Sequence, residues 1–456
     1  MAFLISSKLS TFLLNFLSLL YVIKLLSITE FGLYTTILLV MPFISQLISL
    51  SNYEYLLREL IDGSGDDAKL FSSVLIMPIF LSILIALIFS FTFSSISMYV
   101  FIYFVFLCCF EYIQRYYISK SLSKYIALND FLLNAGWVIV FYLLHNSSIG
   151  GDAFNDIFLS RVISVGFSLL FFAVIKIELI KNAQLSLEIL LSSYKYGMPI
   201  VIGALSYALL RGIERILLST YSSVEDAGIY SFIQVPLNVI FSFFTGTIFV
   251  TSIRYIRQSH VNGSENNVLG FVCNVVSLIF IPMLLVLGLN FDVFVKYFGD
   301  NKYHVSFIYP VLSCVSVFLF MLVTILKQDI NLSNKGISNT KNFFFVLCLN
   351  VIISIFTYSN FGYKAAVLVN LLSNVMLYFL SVRVSKLKIV FTFKIFLLFV
   401  LLVLIHTLIV PLIPTTSNIF YSFTYISIEA CLFFVISCVF FDFKSLVKLK
   451  KGSSYD

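Results

Sequence analysis

Long apolar runs separated by short polar segments dominate the pattern along the whole chain. A run of about twenty residues, at 1.5 Å per residue, crosses the hydrocarbon core of a bilayer once. Because lipid offers no hydrogen bonds to the backbone, each run is expected to be an α-helix. Fourteen spans are predicted, although the weakly polar breaks at 92–96 and 359–361 leave a count of twelve open. They lie near residues 8–27, 33–52, 70–91, 95–118, 127–145, 157–177, 196–219, 228–252, 268–290, 304–326, 342–358, 362–382, 391–413 and 419–442.

One polar motif between these apolar runs occurs twice along the chain. Residues 28–34 and 224–230 share an acidic turn followed by Gly-x-Tyr, and the same offset of 196 residues carries Arg58 onto Arg254. Six predicted spans separate the two copies, so both copies enter the membrane in the same orientation. A pseudo-twofold axis along the membrane normal is therefore expected, as in transporters built from parallel repeats.

The repeat divides the predicted protein into two six-helix lobes and an appendage. Residues 1–185 form the N-terminal lobe, and residues 186–385 form the C-terminal lobe. Residues 386–456 add two transmembrane helices and a basic cytoplasmic tail that have no counterpart in the repeat. The predicted fold class is an all-α polytopic membrane protein.

Composition and charge agree with this layout. The chain is 60% hydrophobic and 11% charged, with a mean hydropathy of +1.03, which excludes a soluble domain. Of the 29 Lys and Arg residues, 22 fall in segments assigned to the cytoplasm, 4 in outer segments and 3 within spans. That bias follows the positive-inside rule and places both termini in the cytoplasm. The net charge of +7 thus reflects topology, and no nucleic-acid partner is predicted.

Three charged residues in the seventh span are the leading candidates for a binding site. Arg211, Glu214 and Arg215 have spacings that place them on one face of a continuous helix. Since a charge inside the membrane is costly, each needs a reason to be there. An intrahelical ion pair, with Arg215 extending to the interface, is one interpretation. A cationic face that binds an anionic ligand is the other.

Four further basic residues are candidates for the same cationic cavity. Arg161, in the sixth span, either pairs locally with Asp156 or faces the cavity. Lys24 lies near the outer end of the first span, where it could equally reach the interface. Arg58 and Arg254 end equivalent spans at the cytoplasmic side, as topology anchors or as symmetric ligands.

The remaining candidates are carboxylates and their partners. Glu111 and Arg115 are four residues apart, a spacing typical of a helix-stabilising pair. Glu429 is a lone carboxylate in the last span, where it is either protonated or hydrogen-bonded to a neighbouring helix. Either carboxylate, like Glu214, is also a candidate for ion coupling. The uncharged polar residues of the spans are interpreted as packing contacts between helices, among them Asn350, Asn370 and Asn374.

The sequence shows no pattern typical of catalysis. It contains no phosphate-binding glycine loop, no nucleophile elbow and no His/Cys set with metal-ligand spacing. No catalytic residue, metal or cofactor is therefore predicted, and a transporter is favoured over an enzyme.

The middle of the chain resembles a known family. Residues 194–200 read Tyr-Lys-Tyr-Gly-Met-Pro-Ile, and they are followed by the charged span 211–218 and the turn 222–230 with Gln234. This order is similar to that of Wzx-type polysaccharide flippases of the multidrug/oligosaccharidyl-lipid/polysaccharide exporter superfamily. The resemblance covers residues 1–385.

The resemblance implies a substrate and a location. In that family two lobes of six spans enclose a cationic cavity, which carries an undecaprenyl-diphosphate-linked oligosaccharide, such as an O-antigen repeat unit for lipopolysaccharide biosynthesis. Transport by alternating access across the bacterial inner membrane is then expected, with a polysaccharide polymerase and chain-length machinery as further partners. Many family members have twelve spans, so the role of the last two helices is left open.

Two other functions compete with this interpretation. A drug/cation antiporter of the same fold usually carries a carboxylate in its first span, and residues 8–27 contain none. A membrane polysaccharide polymerase or acyltransferase is the third possibility. A polymerase would be expected to show a long outer loop with arginines, whereas the predicted outer loops here are short and lack arginine.

Overall fold

The computed structural model describes residues 2–62, 66–92, 97–120, 122–145, 152–245, 265–299, 302–332, 335–385, 390–409 and 419–440. Within these ranges every regular element is a helix. Nine of the described helices are long and apolar enough to cross a membrane, and Leu13–Leu25, Leu397–Ile409 and Thr424–Phe440 add shorter apolar stretches. Helices therefore stand at all fourteen predicted positions.

The chain separates into two compact units, residues 1–213 and 214–456. In the first unit the helices are α1 Ala2–Leu25, α2 Ile28–Ser49, α3 Asn52–Asp62, α4 Asp67–Thr92, α5 Met98–Ser119, α6 Ser123–Phe131, α7 Trp137–His145, α8 Ala153–Ile175, α9 Ile177–Lys181 and α10 Leu187–Leu209. A five-residue π-helix, Leu132–Gly136, joins α6 to α7.

The second unit contains the helices from the second part of the seventh predicted span onward. They are α11 Ile213–Tyr221, α12 Val224–Phe244, α13 Glu265–Leu289, α14 Phe291–Phe298, α15 Ile308–Leu332, α16 Gly336–Val384, α17 Val390–Ile409 and α18 Ile419–Phe440. Helix α16 holds the eleventh and twelfth predicted spans, which meet at a non-helical Gly362.

The repeat is visible in how α2 and α12 begin. Ser27 and Ser223, again 196 residues apart, are the N-cap residues of these helices. Each serine side chain accepts a hydrogen bond from the backbone N–H of the third helical residue, Glu30 or Asp226. Such caps satisfy backbone donors that the first turn leaves unpaired. The same sequence pattern thus starts a helix in the same way in both copies.

Packing in the first unit centres on aromatic side chains. The cluster includes Tyr53, Phe71, Tyr112, Tyr116 and Phe172, all buried. Helix α10 packs against α2, α3 and α4 of this unit. The predicted lobe boundary near residue 185 stays a prediction, since the compact units divide 28 residues later, between Ile213 and Glu214.

The second unit is built around α13, α15 and α16. Helix α15 packs against α12, α13 and α16, while α17 and α18 both pack on α13. Phe232 and Tyr303 stack with 3.9 Å between ring centroids. The two C-terminal helices are therefore attached to this unit through α13.

Candidate functional site

The seventh predicted span is broken where its first charge lies. Helix α10 ends at Leu209, and α11 begins at Ile213. Between them the Arg211 and Gly212 N–H groups donate to carbonyls three residues back, Ala208 at 3.2 Å and Leu209 at 2.9 Å. This tighter turn suits a segment with glycine, the weakest helix former after proline. A Cβ at Gly212 would also lie 2.8 Å from Leu39 Cδ1.

The break corrects the prediction of one continuous charged face. Arg211 belongs to the turn and to the first unit, whereas Glu214 and Arg215 lie on α11 in the second. The spacing of three and four residues assumes one continuous helix, whereas α10 and α11 are separate helices. Arg211 is exposed, while Glu214 is 0% and Arg215 7% exposed.

Arg161 is buried in the first unit among aromatic rings. Its Nη2 donates to Tyr34 Oη at 2.6 Å. The guanidinium carbon lies 4.3 Å from the ring centroid of Trp137, 5.6 Å from that of Tyr34 and 5.9 Å from that of Tyr103. In the ranges that the structure describes, no carboxylate lies within ion-pair distance of Arg161. Its charge is therefore stabilised by π-systems and hydroxyls, not by an ion pair.

The local pair predicted between Arg161 and Asp156 does not form. Asp156 Oδ2 instead lies 3.1 Å from Nδ1 of His145 on α7. The backbone carbonyl of Asp156 also accepts a hydrogen bond from Ser160 Oγ at 2.6 Å. Asp156 is thus paired with His145. Arg161 lies in an aromatic cage formed by Tyr34, Tyr103 and Trp137.

A π-helical turn precedes the tryptophan of this cage. The turn Leu132–Gly136 ends one residue before Trp137. Ser164 Oγ on α8 donates to the Leu132 carbonyl at 2.6 Å, which supplies a donor where regular α-helical pairing is interrupted. A Cβ at Gly136 would lie 3.0 Å from the same Ser164 Oγ. Turns of this kind recur at functional sites.

Glu214 is the centre of a buried polar network in the second unit. Its Oε1 accepts hydrogen bonds from Asn370 Nδ2 at 2.9 Å and from Asn350 Nδ2 at 3.1 Å. Asn350 also donates to Ser373 Oγ at 2.9 Å, and Asn374 donates to Asn370 Oδ1 at 3.1 Å. The carboxylate lies in the first turn of α11, where the helix dipole favours a negative charge.

The sequence did not single out the asparagines of this network. Asn350, Asn370 and Asn374 were interpreted as packing contacts, although they lie on the two halves of α16 and two of them converge on Glu214. The available signal was the spacing of four between Asn370 and Asn374, which places both on one helical face. The aromatic partners of Arg161 carried one signal too, since Tyr34 belongs to the repeated Gly-x-Tyr.

The charges of Glu111 and Arg115 interact, as their spacing predicts, but each side chain makes its direct contacts with other helices. Arg115 Nη2 lies 3.0 Å from Glu54 Oε1 on α3, and its guanidinium carbon stands 4.9 Å from the Tyr53 ring centroid. Glu111 Oε2 accepts from Ser45 Oγ on α2 at 3.4 Å. Tertiary packing thus supplies partners that the spacing of four could not reveal.

The other basic candidates lie near helix ends. Lys24 is exposed in the last turn of α1, where a cation interacts favourably with the helix dipole. Arg58 does not end the second span, because α2 stops at Ser49 and Arg58 sits on the separate helix α3, 5.4 Å from the Tyr196 ring centroid. Arg254 lies outside the described residues.

Glu429 is hydrogen-bonded to neighbouring helices, which is one of the two states expected for it. Its Oε1 lies 2.5 Å from His406 Nδ1 on α17, and its Oε2 accepts from Asn290 at 2.6 Å. This cluster belongs to the second unit but involves none of the other site residues.

Two further features bear on ligand chemistry. Across the described part of the chain, no three His, Cys, Asp or Glu side chains are arranged to hold a metal ion. An apolar hollow of about 430 Å³ lies between α2, α4 and α10, lined by residues such as Leu47, Met77 and Tyr194. Its lining contains no charged side chain, so it does not suit a diphosphate group.

Comparison with solved structures identifies the fold. The "Lipid II flippase MurJ, inward closed conformation" aligns over 97% of this chain and 99% of its own, with a TM-score of 0.69 and 13% identity. An inward-facing multidrug resistance MATE family transporter of the MOP superfamily aligns over 83% of this chain and 98% of its own, with a TM-score of 0.58 and 14% identity. A Vibrio cholerae MATE transporter gives 0.51 and 12%, over 84% and 97%.

No protein-family model matches the sequence, and no curated protein matches it. The structural likeness therefore stands on the arrangement of helices. An alignment over 97% of the chain has to include helices of the appendage, whereas alignments over 83% need not. The predicted fold class, an all-α polytopic membrane fold with two additional C-terminal helices, is confirmed: the chain has the fold shared by MurJ and the MATE transporters.

Proposed function

We propose that the chain is a flippase that moves an oligosaccharide linked to a polyprenyl diphosphate across the membrane by alternating access. The observation that carries the proposal is Arg211, an exposed arginine at a helix break in the seventh predicted span. A guanidinium facing hydrocarbon would be strongly unfavourable, so an exposed one at this depth indicates a wet, anion-accepting route. The fold shared with a lipid II flippase supports the same class of substrate.

The chemistry of a diphosphate fits arginine better than lysine. A diphosphate cannot cross hydrocarbon bare, because isolating its charges from water is prohibitive. Arginine offers paired N–H groups in a fixed plane, which match two phosphate oxygens at once. The backbone N–H groups of a broken helix can add donors at the same place. In this proposal Arg211 binds the head group, Arg161 adds a fixed positive charge, and Lys24, Arg58, Arg215 and Arg254 contribute to the cationic route.

The proposal extends to substrate, place and partners. The cargo is an undecaprenyl-diphosphate-linked O-antigen or related repeat unit, and the membrane is the bacterial inner membrane with both termini in the cytoplasm. A polysaccharide polymerase and chain-length machinery would act on the product. The charge bias along the sequence and the Wzx-like motifs support these assignments.

A drug/cation antiporter is the second candidate function. Glu214, a buried carboxylate surrounded by amides, is the observation that favours it, together with the fold shared with MATE transporters. Such a carboxylate can bind and release a proton or a cation during transport. Glu214 serves equally well as a coupling group in the flippase, so the two functions differ in cargo and not in this residue.

The test is a transport assay with the purified full-length protein in liposomes. A fluorescent undecaprenyl-diphosphate oligosaccharide is placed in the bilayer, and the fraction reached by an impermeant quencher is followed over time. Arg211→Ala is expected to slow flipping about 10- to 100-fold, since a charge-assisted hydrogen bond is lost. Arg211→Lys should fall between, because the charge remains without the planar fork.

Arg383→Ala is the matched control, since Arg383 is exposed in the last turn of α16 and outside the proposed site. It should flip lipid at the wild-type rate. Wild-type flipping by Arg211→Ala would refute the assignment of Arg211. Transport of an organic cation dye without any movement of the lipid would replace the flippase by the antiporter. Rescue of Arg211→Ala by adding Glu214→Ala would make Arg211 an ion-pair partner only.

A further inference from the structure

A buried cluster of histidine, carboxylate and amide lies where the two C-terminal helices meet α13. His406 on α17 and Glu429 on α18 approach to 2.5 Å between Nδ1 and Oε1. Asn290, directly after α13, donates from Nδ2 to Glu429 Oε2 at 2.6 Å. The three residues are 9%, 2% and 7% exposed. The cluster therefore joins three helices through groups that lipid cannot solvate.

The hydrogen bonds of the cluster require a proton between His406 and Glu429. Asn290 occupies Oε2 as a donor, so the remaining contact is between Nδ1 and Oε1. Two bare acceptors would repel at that distance, and hence one of them carries hydrogen. Either the imidazole donates to the carboxylate, or the carboxyl group donates to the imidazole. If the pair is neutral overall, the imidazole and the carboxyl group together hold two exchangeable protons, whichever of the two groups is the donor.

The surroundings favour the neutral total charge. Removal of one proton would leave a net negative charge buried in the membrane, which is strongly unfavourable. Tyr425 on α18 is the ionisable neighbour that faces Glu429, and Asp292 on α14 acts on Tyr425 in turn. From α13 the facing group is the uncharged amide of Asn290, and from α17 it is His406.

We propose that His406, Glu429 and Asn290 form a proton-binding site that fastens α17 and α18 to α13. With the proton bound, the cluster is neutral and both of its contacts are made. Release of the proton to water leaves the carboxylate without compensation, which weakens the docking of both helices. The site is separate from the cationic residues of the proposed transport route and does not depend on the cargo.

Hydrogen–deuterium exchange of the full-length protein in lipid nanodiscs tests the site. Exchange of α17 and α18 peptides is compared with that of α8 peptides, from about pH 6 to about pH 9. After correction for the intrinsic pH dependence, wild-type α17 and α18 should exchange about tenfold faster at the alkaline end, because the buried carboxylate charge is then uncompensated.

Two variants distinguish the effect of proton release from the effect of losing the side-chain contacts. Glu429→Gln keeps the shape, accepts from Asn290 and donates to His406, so it imitates the protonated carboxyl group. Its α17 and α18 should stay protected at every pH. Glu429→Ala removes both contacts, and exchange should be about tenfold faster throughout.

The control is His145→Gln, which removes a second histidine–carboxylate pair, a longer one at 3.1 Å in the first unit. The pH dependence of α17 and α18 should survive this change. A pH dependence that persists in Glu429→Gln would overturn the proton site, and so would its loss in His145→Gln. Wild-type protection in Glu429→Ala would show that the cluster does not hold the helices.

Discussion

The two units bury opposite charges beside equivalent tyrosines of the repeat. In the first unit Tyr34 accepts a hydrogen bond from Arg161, and aromatic rings surround the guanidinium. In the second unit Tyr230, 196 residues further on, lies beside Glu214. This carboxylate accepts hydrogen bonds from asparagine amides. One pattern of Gly-x-Tyr thus supports a cation in one unit and a carboxylate in the other.

The difference between these centres lies in whether the charge can change. An arginine does not lose its proton in proteins, so Arg161 is a permanent charge. A carboxylate can be protonated or can exchange a cation, so Glu214 can alternate between charged and neutral states. In the proposed flippase, the first unit, with Arg161, would therefore bind an anionic group, whereas the second unit, with Glu214, would couple transport to ions.

The largest effect on stability is expected from Glu214→Ala. The substitution leaves the Asn370 amide without its acceptor, while Asn350 keeps Ser373. Unsatisfied buried donors cost about 1–3 kcal/mol each, so a loss of about 2–4 kcal/mol in the free energy of unfolding is expected. Denaturant unfolding of the purified protein measures it. A change of less than about 1 kcal/mol would show that the network is not held by Glu214.

Glu214→Gln separates charge from shape in the same place. The glutamine retains an acceptor for the asparagines, so its stability should stay within about 1 kcal/mol of wild type. Its charge cannot change, and the dependence of transport on pH or on cations should therefore disappear. A transport profile identical to that of wild type would assign coupling to another group.

The sequence could predict the spans but not the partners of the charges inside them. Apolar length identifies a crossing because lipid forbids an unsatisfied backbone, and that constraint acts locally along the chain. The ring that stacks on Arg161 comes from Trp137, and the amides on Glu214 come from more than a hundred residues away. Such contacts depend on how helices pack, which spacing within one helix does not encode. The break at Arg211–Gly212 was missed because one glycine inside an apolar run is also tolerated in continuous helices.

A smaller effect on stability is expected at Gly362, where the acidic residues of the two repeat copies make different contacts. Glu30 caps its own helix by accepting from Ser27 N at 2.8 Å, at an exposed position. Asp226, its counterpart, instead accepts from Tyr363 N at 3.2 Å and occupies the space beside Gly362. A Cβ at Gly362 would lie 2.6 Å from Asp226 Oδ1, and the φ of +54° is unfavourable for any other residue.

Gly362→Ala should therefore lower the free energy of unfolding by about 2–3 kcal/mol, from left-handed strain and a displaced Asp226. Gly270→Ala is the matched control, since a Cβ there meets nothing within 4 Å. It should be neutral or stabilising by up to about 1 kcal/mol, because alanine favours a helix. Equal effects of the two substitutions in denaturant unfolding would contradict the role of Asp226. Glu30→Ala should cost no more than about 1 kcal/mol.

The smallest effect on stability, and the sharpest test of the comparison, is expected from Arg161→Met. The change removes cation–π contacts worth about 0.5–2 kcal/mol each, but it also removes a buried charge that no ion pair compensates. Methionine fills the cage and contacts the rings through sulfur. The two terms oppose each other, so the free energy of unfolding should stay within about 1 kcal/mol of wild type.

Arg161→Lys keeps the charge but loses planar stacking and should be the less stable variant, by about 1–3 kcal/mol. In the flipping assay Arg161→Met should be slower by about tenfold with an unchanged pH profile, the reverse of Glu214→Gln. If Arg161→Met unfolds more easily than Arg161→Lys, the cation is a structural element, and the division into a binding unit and a coupling unit fails.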